Sequence, residues 1–256
     1  MTVEVLTVVP EDSPGRGLLR YHNEQSGCTF LVAGPRAQPA LWKRYLDGAL
    51  GVYRHFGVES ALRYDAVRDG GSTPLFFTAI DPSGEMVAGV RSQGPYTSVN
   101  QVHELSAWQG FAGATDLRLV IANRIPAGVV EAKGAWVARD APHRSALSAA
   151  ISRIALHGTR LLGARYGFAT VGSFTVERHR ASGGRRDAAA PAVPYPDERY
   201  QTVPVWWDTR TYRTFAEPSQ RQLIRSEQRA LGLPPTRRPQ PCRRRSFGMR
   251  TRHRDG

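Results

Sequence analysis

The chain has 256 residues, of which 41% are hydrophobic and 9% aromatic, so it can bury a sizeable core as a globular protein. It has no apolar run of about twenty residues, and its acidic, proline-containing start does not resemble a signal peptide, so we expect a cytoplasmic protein. Two cysteines exclude a disulfide framework, and neither they nor the histidines have metal-ligand spacing, so we expect no metal site.

The formal net charge of +13 is concentrated at the C-terminal end of the chain. Residues 217–256 carry eleven arginines against three acids, and beyond residue 233 there is little apolar content. A strongly basic segment with few apolar residues cannot bury enough surface to fold by itself. The sequence therefore predicts a globular domain over residues 1–215, followed by a basic, arginine-rich and largely disordered tail over residues 216–256.

The first half of the chain alternates strand and helix signals. Residues 3–9 and Cys28–Ala33 favour strands, residues 39–56 show a helical pattern, and residues 58–67 favour one or two further helical turns. The runs PLFFTAI and MVAGVRS are separated by DPSGE, which is a strong turn signal and predicts a hairpin. Residues 94–116 read mainly as loop, with one helical turn around His103–Trp108. Residues 117–125 could form a helix or a strand, and the helix is favoured.

The second half is built around one strand–turn–helix unit, GVVEAKGAWVARDAPHRSALSAAISRIALHGTRLLGARYG. A short strand at 168–171, a helix at 174–181 and a strand at 199–208 follow it. Pro204 within the last strand suggests an edge position or a bulge. Interleaved strands and helices predict an α/β fold with a mixed sheet, antiparallel in the first half and containing a strand–helix–strand crossover in the second.

Glu131 and Lys133 stand two residues apart in the central strand, so both side chains should project from the same face. A helix N-terminus with free N–H groups follows them. Such a unit could hold an anionic carrier and carry out chemistry beside it.

Three motifs in this order resemble the GNAT superfamily of N-acyltransferases, and among these the acyl-homoserine-lactone synthases and long-chain N-acyl amino acid synthases. The motifs are FFTAIDPSGEMVAGVRSQGP, which ends in Arg91; GVVEAKGAWV, with its central Glu131; and YPDERYQTVPVWWD. Relatives of the lactone-synthase type have serine and arginine where this chain has Lys133 and Gly134. The resemblance implies a GNAT-like fold, with a central twisted sheet flanked by helices, and an N-acyltransferase activity without a tightly bound cofactor.

The resemblance also implies catalytic roles for Glu131, Lys133 and Arg91. Glu131 is expected to act as the base, directly or through a water relay, with a pKa raised by burial. The structural alternative is an ion pair with Lys133 or another cation. Lys133 could bind an acceptor carboxylate, although pairing with Glu131 is the favoured interpretation. Arg91 could bind a carboxylate in a bidentate manner or be an ordinary surface arginine.

The turn ARDAPHRSA lacks the glycines with which typical acetyl-CoA-using members bind a pyrophosphate, and it supplies cations instead. This favours acyl carrier protein over coenzyme A as donor, with acyl-ACP or acyl-CoA as the co-substrate. The predicted donor-binding residues are Val137, Arg139, His143, Arg144 and Ser145. His103 and Glu104 fall where relatives form the acceptor pocket. The segment ATVGSFTVERH lacks the tyrosine that many members use to protonate the leaving thiolate; Ser173 and His179 are possible substitutes.

The leading hypothesis is an enzyme that transfers an acyl chain from a carrier-protein or coenzyme A thioester to the amine of an amino acid or related small molecule. A catalytically inactive acyl-binding module of the same fold is an alternative. The basic tail provides another, because arginine-rich segments bind nucleic acid or anionic membranes without sequence specificity.

Overall fold

A computed structural model of the protein describes residues 17–188 and 190–235. The strand predicted at residues 3–9, and most of the basic tail including Cys242, lie outside this range. Nine strands are present in the described part of the chain: β1 Leu19–Asn23, β2 Cys28–Ala33, β3 Leu75–Ile80, β4 Met86–Gln93, β5 Val129–Val137, β6 Tyr166–Gly172, β7 Arg185–Arg186, β8 Val193–Pro194 and β9 Gln201–Asp208.

Eight α-helices accompany these strands in the described residues: α1 Pro39–His55, α2 Glu59–Leu62, α3 Tyr64–Val67, α4 Ala114–Arg124, α5 Arg144–Leu161, α6 Val176–Ala181, α7 Tyr212–Phe215 and α8 Pro218–Ala230. Short 3₁₀ turns occur between them, including one at His103–Trp108. None of the helices in the described range is both long and apolar enough to cross a membrane.

The strands form one open, mixed sheet in the order β1-β2-β3-β4-β5-β6-β9-β7, and β8 pairs with β9 as well. All neighbouring strands are antiparallel except β5 and β6, which run parallel and are connected by α5. The mixed α/β sheet predicted from the sequence, with its hairpin and its crossover, is therefore confirmed.

Most local predictions are confirmed because their signals are short-range. The strand Cys28–Ala33, the first long helix and the β3–β4 hairpin all occur where the pattern places them. The strand at 168–171 is longer than predicted, because β6 pairs with β9 along its whole length, from Tyr166 to Gly172. The predicted loop after α6 contains the two-residue strands β7 and β8.

The sequence predicted Pro204 either at an edge of the sheet or at a bulge. Pro204 does not lie at the edge of the sheet. It pairs with Thr170 of β6 on one side, and on the other its carbonyl oxygen accepts a hydrogen bond from the Asp187 backbone N–H. On this other side, β9 pairs with β7 at Val205 and Trp206 and with β8 at Gln201 and Thr202, so no strand pairs with Pro204 itself. The sheet therefore tolerates a residue without an N–H group at this point.

Helix α5 covers one face of the central strands and fixes which side chains point away from it. A Cβ atom added at Gly158 would lie 2.3 Å from Ser92 Oγ, so α5 approaches β4 closely on the Ser92 side. Since side chains alternate along a strand, Arg91 and Gln93 point to the opposite face. Across the β4–β5 ladder these two residues pair with Lys133 and Glu131. Arg91, Gln93 and their two partners on β5 therefore share the face that α5 leaves uncovered.

Helix α8 packs against β1 and α5 through a buried ionic cluster. The Glu227 carboxylate accepts hydrogen bonds from Asn23 Nδ2 at 3.0 Å and from Arg153 Nε at 2.8 Å, and it lies 2.8 Å from His157 Nε2. Arg153 and His157 are fully buried and Glu227 is 4% exposed. The segment predicted to begin the tail at residue 216 thus starts with a packed helix, and the boundary between domain and tail stays a prediction.

Candidate active site

Glu131 lies at the centre of the polar face and is fully buried. The Tyr96 hydroxyl donates a hydrogen bond of 2.5 Å to its Oε2 atom, whereas Oε1 has no hydrogen-bond partner among the described residues. Burial raises the pKa of Glu131 to about 7, against the opposing effects of the Tyr96 hydrogen bond and the Arg91 charge. A carboxyl group with this pKa can accept and release a proton near neutral pH.

Lys133 joins Glu131 to a second carboxylate. Its ammonium group forms a close ion pair with Glu104 Oε1 and lies 3.7 Å from Glu131 Oε2. The Lys133 and Glu104 side chains are each only 10% exposed. Burial lowers the pKa of Lys133 well below its usual value, and the Arg91 and Arg63 charges lower it further. The predicted pairing of Lys133 with Glu131 is therefore present, but Glu104 is its nearer partner.

Arg91 is buried, so the alternative of an exposed surface arginine is wrong. One terminal nitrogen donates hydrogen bonds to Thr73 Oγ1 at 3.2 Å and to Gln93 Oε1 at 3.0 Å. Among the described residues, its Nε atom has no hydrogen-bond partner and no carboxylate forms an ion pair with it. A buried guanidinium without a carboxylate is a suitable binding group for an anionic substrate.

Three further residues surround this cluster at longer range. The His103 imidazole is exposed beside Glu104, and partial burial together with the Arg63 and Lys133 charges lowers its pKa. Burial raises the pKa of Tyr195, and the nearby Glu131 carboxylate adds to this effect. Arg63 adopts a left-handed backbone conformation, with φ of 51°. The predicted acceptor residues His103 and Glu104 are therefore both near the site, but only Glu104 enters the buried network.

Strands β5 and β6 part next to Glu131. Their parallel pairing covers only Val129–Glu131 of β5, and it ends at the pair Glu131–Phe168. Beyond that pair β6 continues alongside β9, while β5 continues alongside β4. The β5 backbone from Ala132 to Val137 thus has no strand partner on its β6 side within the described residues. Two diverging strand edges can accept an extended ligand that carries amide groups.

The predicted donor-binding residues lie at the far end of β5. Val137 is partly buried against the core. The other four residues are exposed around the N-terminus of α5: Arg139, His143, Arg144 and Ser145. His143 precedes the helix in a left-handed conformation, and no side chain caps the first turn. A cleft of about 540 Å³ between this end of β5 and α1 includes Arg139 in its lining. The structure thus groups these four residues at one exposed basic turn.

The two predicted substitutes for a proton-donating tyrosine do not reach Glu131. His179 packs edge-on against Trp207 at a centroid distance of 5.5 Å, and Trp207 belongs to the core on the α5 side of the sheet. Burial lowers the pKa of His179 to about 4. Ser173 is exposed in the 3₁₀ turn after β6.

Sequence reasoning missed Tyr96, which is the nearest hydrogen-bond partner of Glu131. The segment that contains it has no periodic pattern, and its proximity to β5 arises from the turn directly after β4. The dipeptide Gly94–Pro95 was the available signal, because such a turn at a strand end returns the chain towards a neighbouring strand. Within the described residues, no group of three or more His, Cys, Asp or Glu side chains is arranged to hold a metal ion.

The chain resembles known proteins both in sequence and in fold. No family profile matches the chain. Over 204 residues it is 42% identical to the uncharacterized proteins Rv1356c of Mycobacterium tuberculosis and Mb1391c of Mycobacterium bovis, covering 80% of this chain and 78% of each relative.

Among solved structures, the chain is similar to FeeM, an N-acyl amino acid synthase from uncultured soil microbes. The TM-score is 0.51 at 9% sequence identity, with 71% of this chain and 92% of FeeM covered. A CoA-dependent acyl-homoserine lactone synthase, BjaI, gives a TM-score of 0.49 at 14% identity, over 88% and 95% of the two chains. The likeness to FeeM shows that the chain has the GNAT acyltransferase fold, and the 42% identity shows that it belongs to one protein family with Rv1356c of Mycobacterium tuberculosis.

Proposed function

We propose that the protein is an N-acyltransferase that moves an acyl chain from a thioester, on acyl carrier protein or coenzyme A, to the amine of an amino acid or a related small molecule. One observation supports this most strongly: Glu131 is fully buried, has a pKa of about 7, and lies where β5 and β6 part. A base is needed at that point because an amine attacks a thioester only after it has lost the proton of its ammonium form.

The first role of the site is to prepare the acceptor. Glu131 Oε1 accepts a proton from the ammonium group, and the neutral amine then attacks the thioester carbonyl carbon. A C–N bond forms, the C–S bond breaks, and the second proton of the nitrogen passes to the leaving sulfur, so that the products are an amide and a free thiol. The two parted strands hold the donor in an extended conformation along β5, which places the two reactants together.

The second role is to recognise the acceptor. Arg91 Nε and Glu131 Oε1 are both buried and unpartnered among the described residues, and they lie on the same face of neighbouring strands. The guanidinium suits a carboxylate and Glu131 suits an ammonium group, so the pair matches the zwitterion of an amino acid. Lys133 stays bound to Glu104 and supports the charge balance of this pocket.

The third role belongs to the exposed basic turn before α5. Arg139, His143 and Arg144 suit the acidic surface of a carrier protein, and the turn has no glycine to bring its backbone close to a pyrophosphate. We therefore favour an acyl carrier protein as donor over coenzyme A. An inactive acyl-binding module would not require a buried carboxyl group with a pKa near 7, and the cost of burying this group favours an enzyme.

Mass spectrometry of lipid extracts from a host that overproduces the full chain tests this proposal. The matched control is the Glu131→Gln variant, which keeps the size and hydrogen-bonding capacity of the side chain but cannot take up a proton. We expect an N-acyl species with the wild-type protein that is absent with the variant. Identical extracts from wild type and variant in several hosts would contradict the proposal.

A further inference from the structure

The environment of Glu131 is asymmetric, because its neighbours address only one of its two oxygens. The Tyr96 hydroxyl donates to Oε2 at 2.5 Å, and the Lys133 ammonium group lies 3.7 Å from the same oxygen. Oε1 is equally buried and receives no hydrogen bond from the described residues. The two oxygens of one carboxyl group are therefore chemically distinct.

Tyr96 is held rigidly in the position from which it contacts Glu131. Its backbone N–H donates to the Val129 carbonyl oxygen at 2.9 Å, and its ring packs in a core cluster that includes Val102 and Trp108. Gly94 makes this approach possible, since a Cβ atom there would lie 2.7 Å from the same carbonyl oxygen, and its φ is +106°. The fold thus holds the Tyr96 hydroxyl within hydrogen-bond distance of the carboxyl group.

On the basis of the proposed function, we propose that Tyr96 is a positioning residue for Glu131, which fixes Oε2 and leaves Oε1 as the atom that takes the proton from the acceptor amine. No periodic pattern in the sequence distinguishes this tyrosine. Its effect is transmitted through the carboxyl group, so it needs no contact with either substrate.

Other charged and titratable groups also act on Glu131, and the test must separate them from Tyr96. They are Arg91 on β4, Lys133 on the same strand, and Tyr195 before β9; Glu104 and Arg63 act on it through Lys133. Replacing Tyr96 by phenylalanine leaves all of these in place and removes one hydroxyl group. Since the Tyr96 hydrogen bond lowers the pKa of Glu131, its loss should raise that pKa.

Infrared titration of the full-length protein measures the protonation of Glu131 without any substrate. The carboxyl carbonyl band that is missing in Glu131→Gln identifies the group. In Tyr96→Phe we expect the titration of this band to move to higher pH by about one unit, the size that loss of a charge-assisted hydrogen bond gives. We also expect the band to move to higher frequency, because the carboxyl group has lost a donor. Tyr200→Phe is the control, since that hydroxyl donates instead to the Phe56 carbonyl oxygen, and it should leave the band unchanged.

The pH dependence of acylation then tests the role in the reaction. With Tyr96→Phe, we expect the acidic limb of kcat/KM for the acceptor, which reports the free enzyme, to move to higher pH together with the infrared titration, while KM for the donor stays constant. If the wild-type protein is active and neither titration moves in Tyr96→Phe, the positioning role is wrong. If the infrared band moves but the wild type acylates no amine from any thioester, the orientation of Glu131 stands and the proposed function fails.

Discussion

At the residue scale, the reactivity assigned to Glu131 follows from its burial. Desolvation disfavours the charged carboxylate, and the Tyr96 and Arg91 interactions only partly offset that effect, so the pKa rises from 4.5 to about 7. The same shift means that Glu131 lowers the free energy of unfolding at neutral pH. A group placed for chemistry is therefore expected to destabilise the fold that holds it.

Glu131→Gln should stabilise the protein above neutral pH. Because the folded-state pKa lies above the unfolded-state value, ionisation penalises the folded state as the pH rises from about 4.5 through 7. The penalty is complete above pH 7 and absent below 4.5. At pH 8 we expect the free energy of unfolding of the variant to exceed that of the wild type by about 3 kcal/mol, with the difference shrinking towards pH 4.5. Urea denaturation at several pH values measures it; a variant less stable than wild type at pH 8 would contradict the burial argument.

At the scale of elements, the bulge in β5 separates Glu131 and Lys133, the proposed site residues of this strand, from its second half. The β4–β5 register shifts between the pairs Gly89–Trp136 and Arg91–Lys133. Gly134 lies in this bulge and has a φ of +59°. The Tyr45 hydroxyl donates a hydrogen bond of 2.7 Å to its carbonyl oxygen. A β-bulge redirects the side chains that flank it, so Gly134 helps to set the direction of Lys133.

Gly134→Ala should destabilise the protein, whereas Gly51→Ala should not. A Cβ atom at Gly134 would meet the Tyr45 hydroxyl oxygen at 2.6 Å in a left-handed conformation, but at Gly51 within α1 it would meet no atom within 4 Å. We expect Gly134→Ala to lose about 1–3 kcal/mol of unfolding free energy, and Gly51→Ala to gain about 0.5–1 kcal/mol by its higher helix propensity. Thermal unfolding of the two variants in parallel checks the contrast, and equal midpoints would contradict it.

Sequence patterns predicted the elements of this site better than the contacts between them. The face shared by Glu131 and Lys133 follows from strand periodicity, and the hairpin that carries Arg91 follows from its turn residues. The contacts of Tyr96 and Glu104 with β5 depend on the path of the segment between β4 and α4, which has no periodic pattern. The parting of β5 and β6 depends on pairing between distant strands. Neither kind of information is present in a local pattern.

At the scale of the whole molecule, α8 joins the start of the C-terminal region to the rest of the fold. The helix is rich in charged residues, yet Glu227 is buried because Arg153 and His157 of α5 provide partners. Burial alone would raise the pKa of Glu227, but the hydrogen bonds and charges of these partners lower it to about 2. The carboxylate therefore links the last described helix to the centre of the fold.

Glu227→Gln should remove a pH-dependent part of the stability. Since folding lowers the pKa of Glu227 from 4.5 to about 2, its contribution is complete above pH 4.5 and is lost as the pH falls towards 2. We expect the variant to be about 3 kcal/mol less stable at pH 7, and the difference to shrink between pH 4.5 and pH 3. Glu177→Gln, which removes an exposed pair with Arg180, is the control and should change little. A constant difference at all pH values would contradict the shifted pKa.

The central claim is that Glu131 is the base of an amine acylation. The most direct test is the rate of N-acyl product formation by the purified full-length protein between pH 5 and pH 9, with acyl carrier protein and coenzyme A thioesters and a mixture of amino acids. We predict a rate that rises through a single ionisation near pH 7 in the wild type and is lost in Glu131→Gln. Equal rates in the variant, or a wild-type rate that does not respond to pH in this range, would contradict the claim.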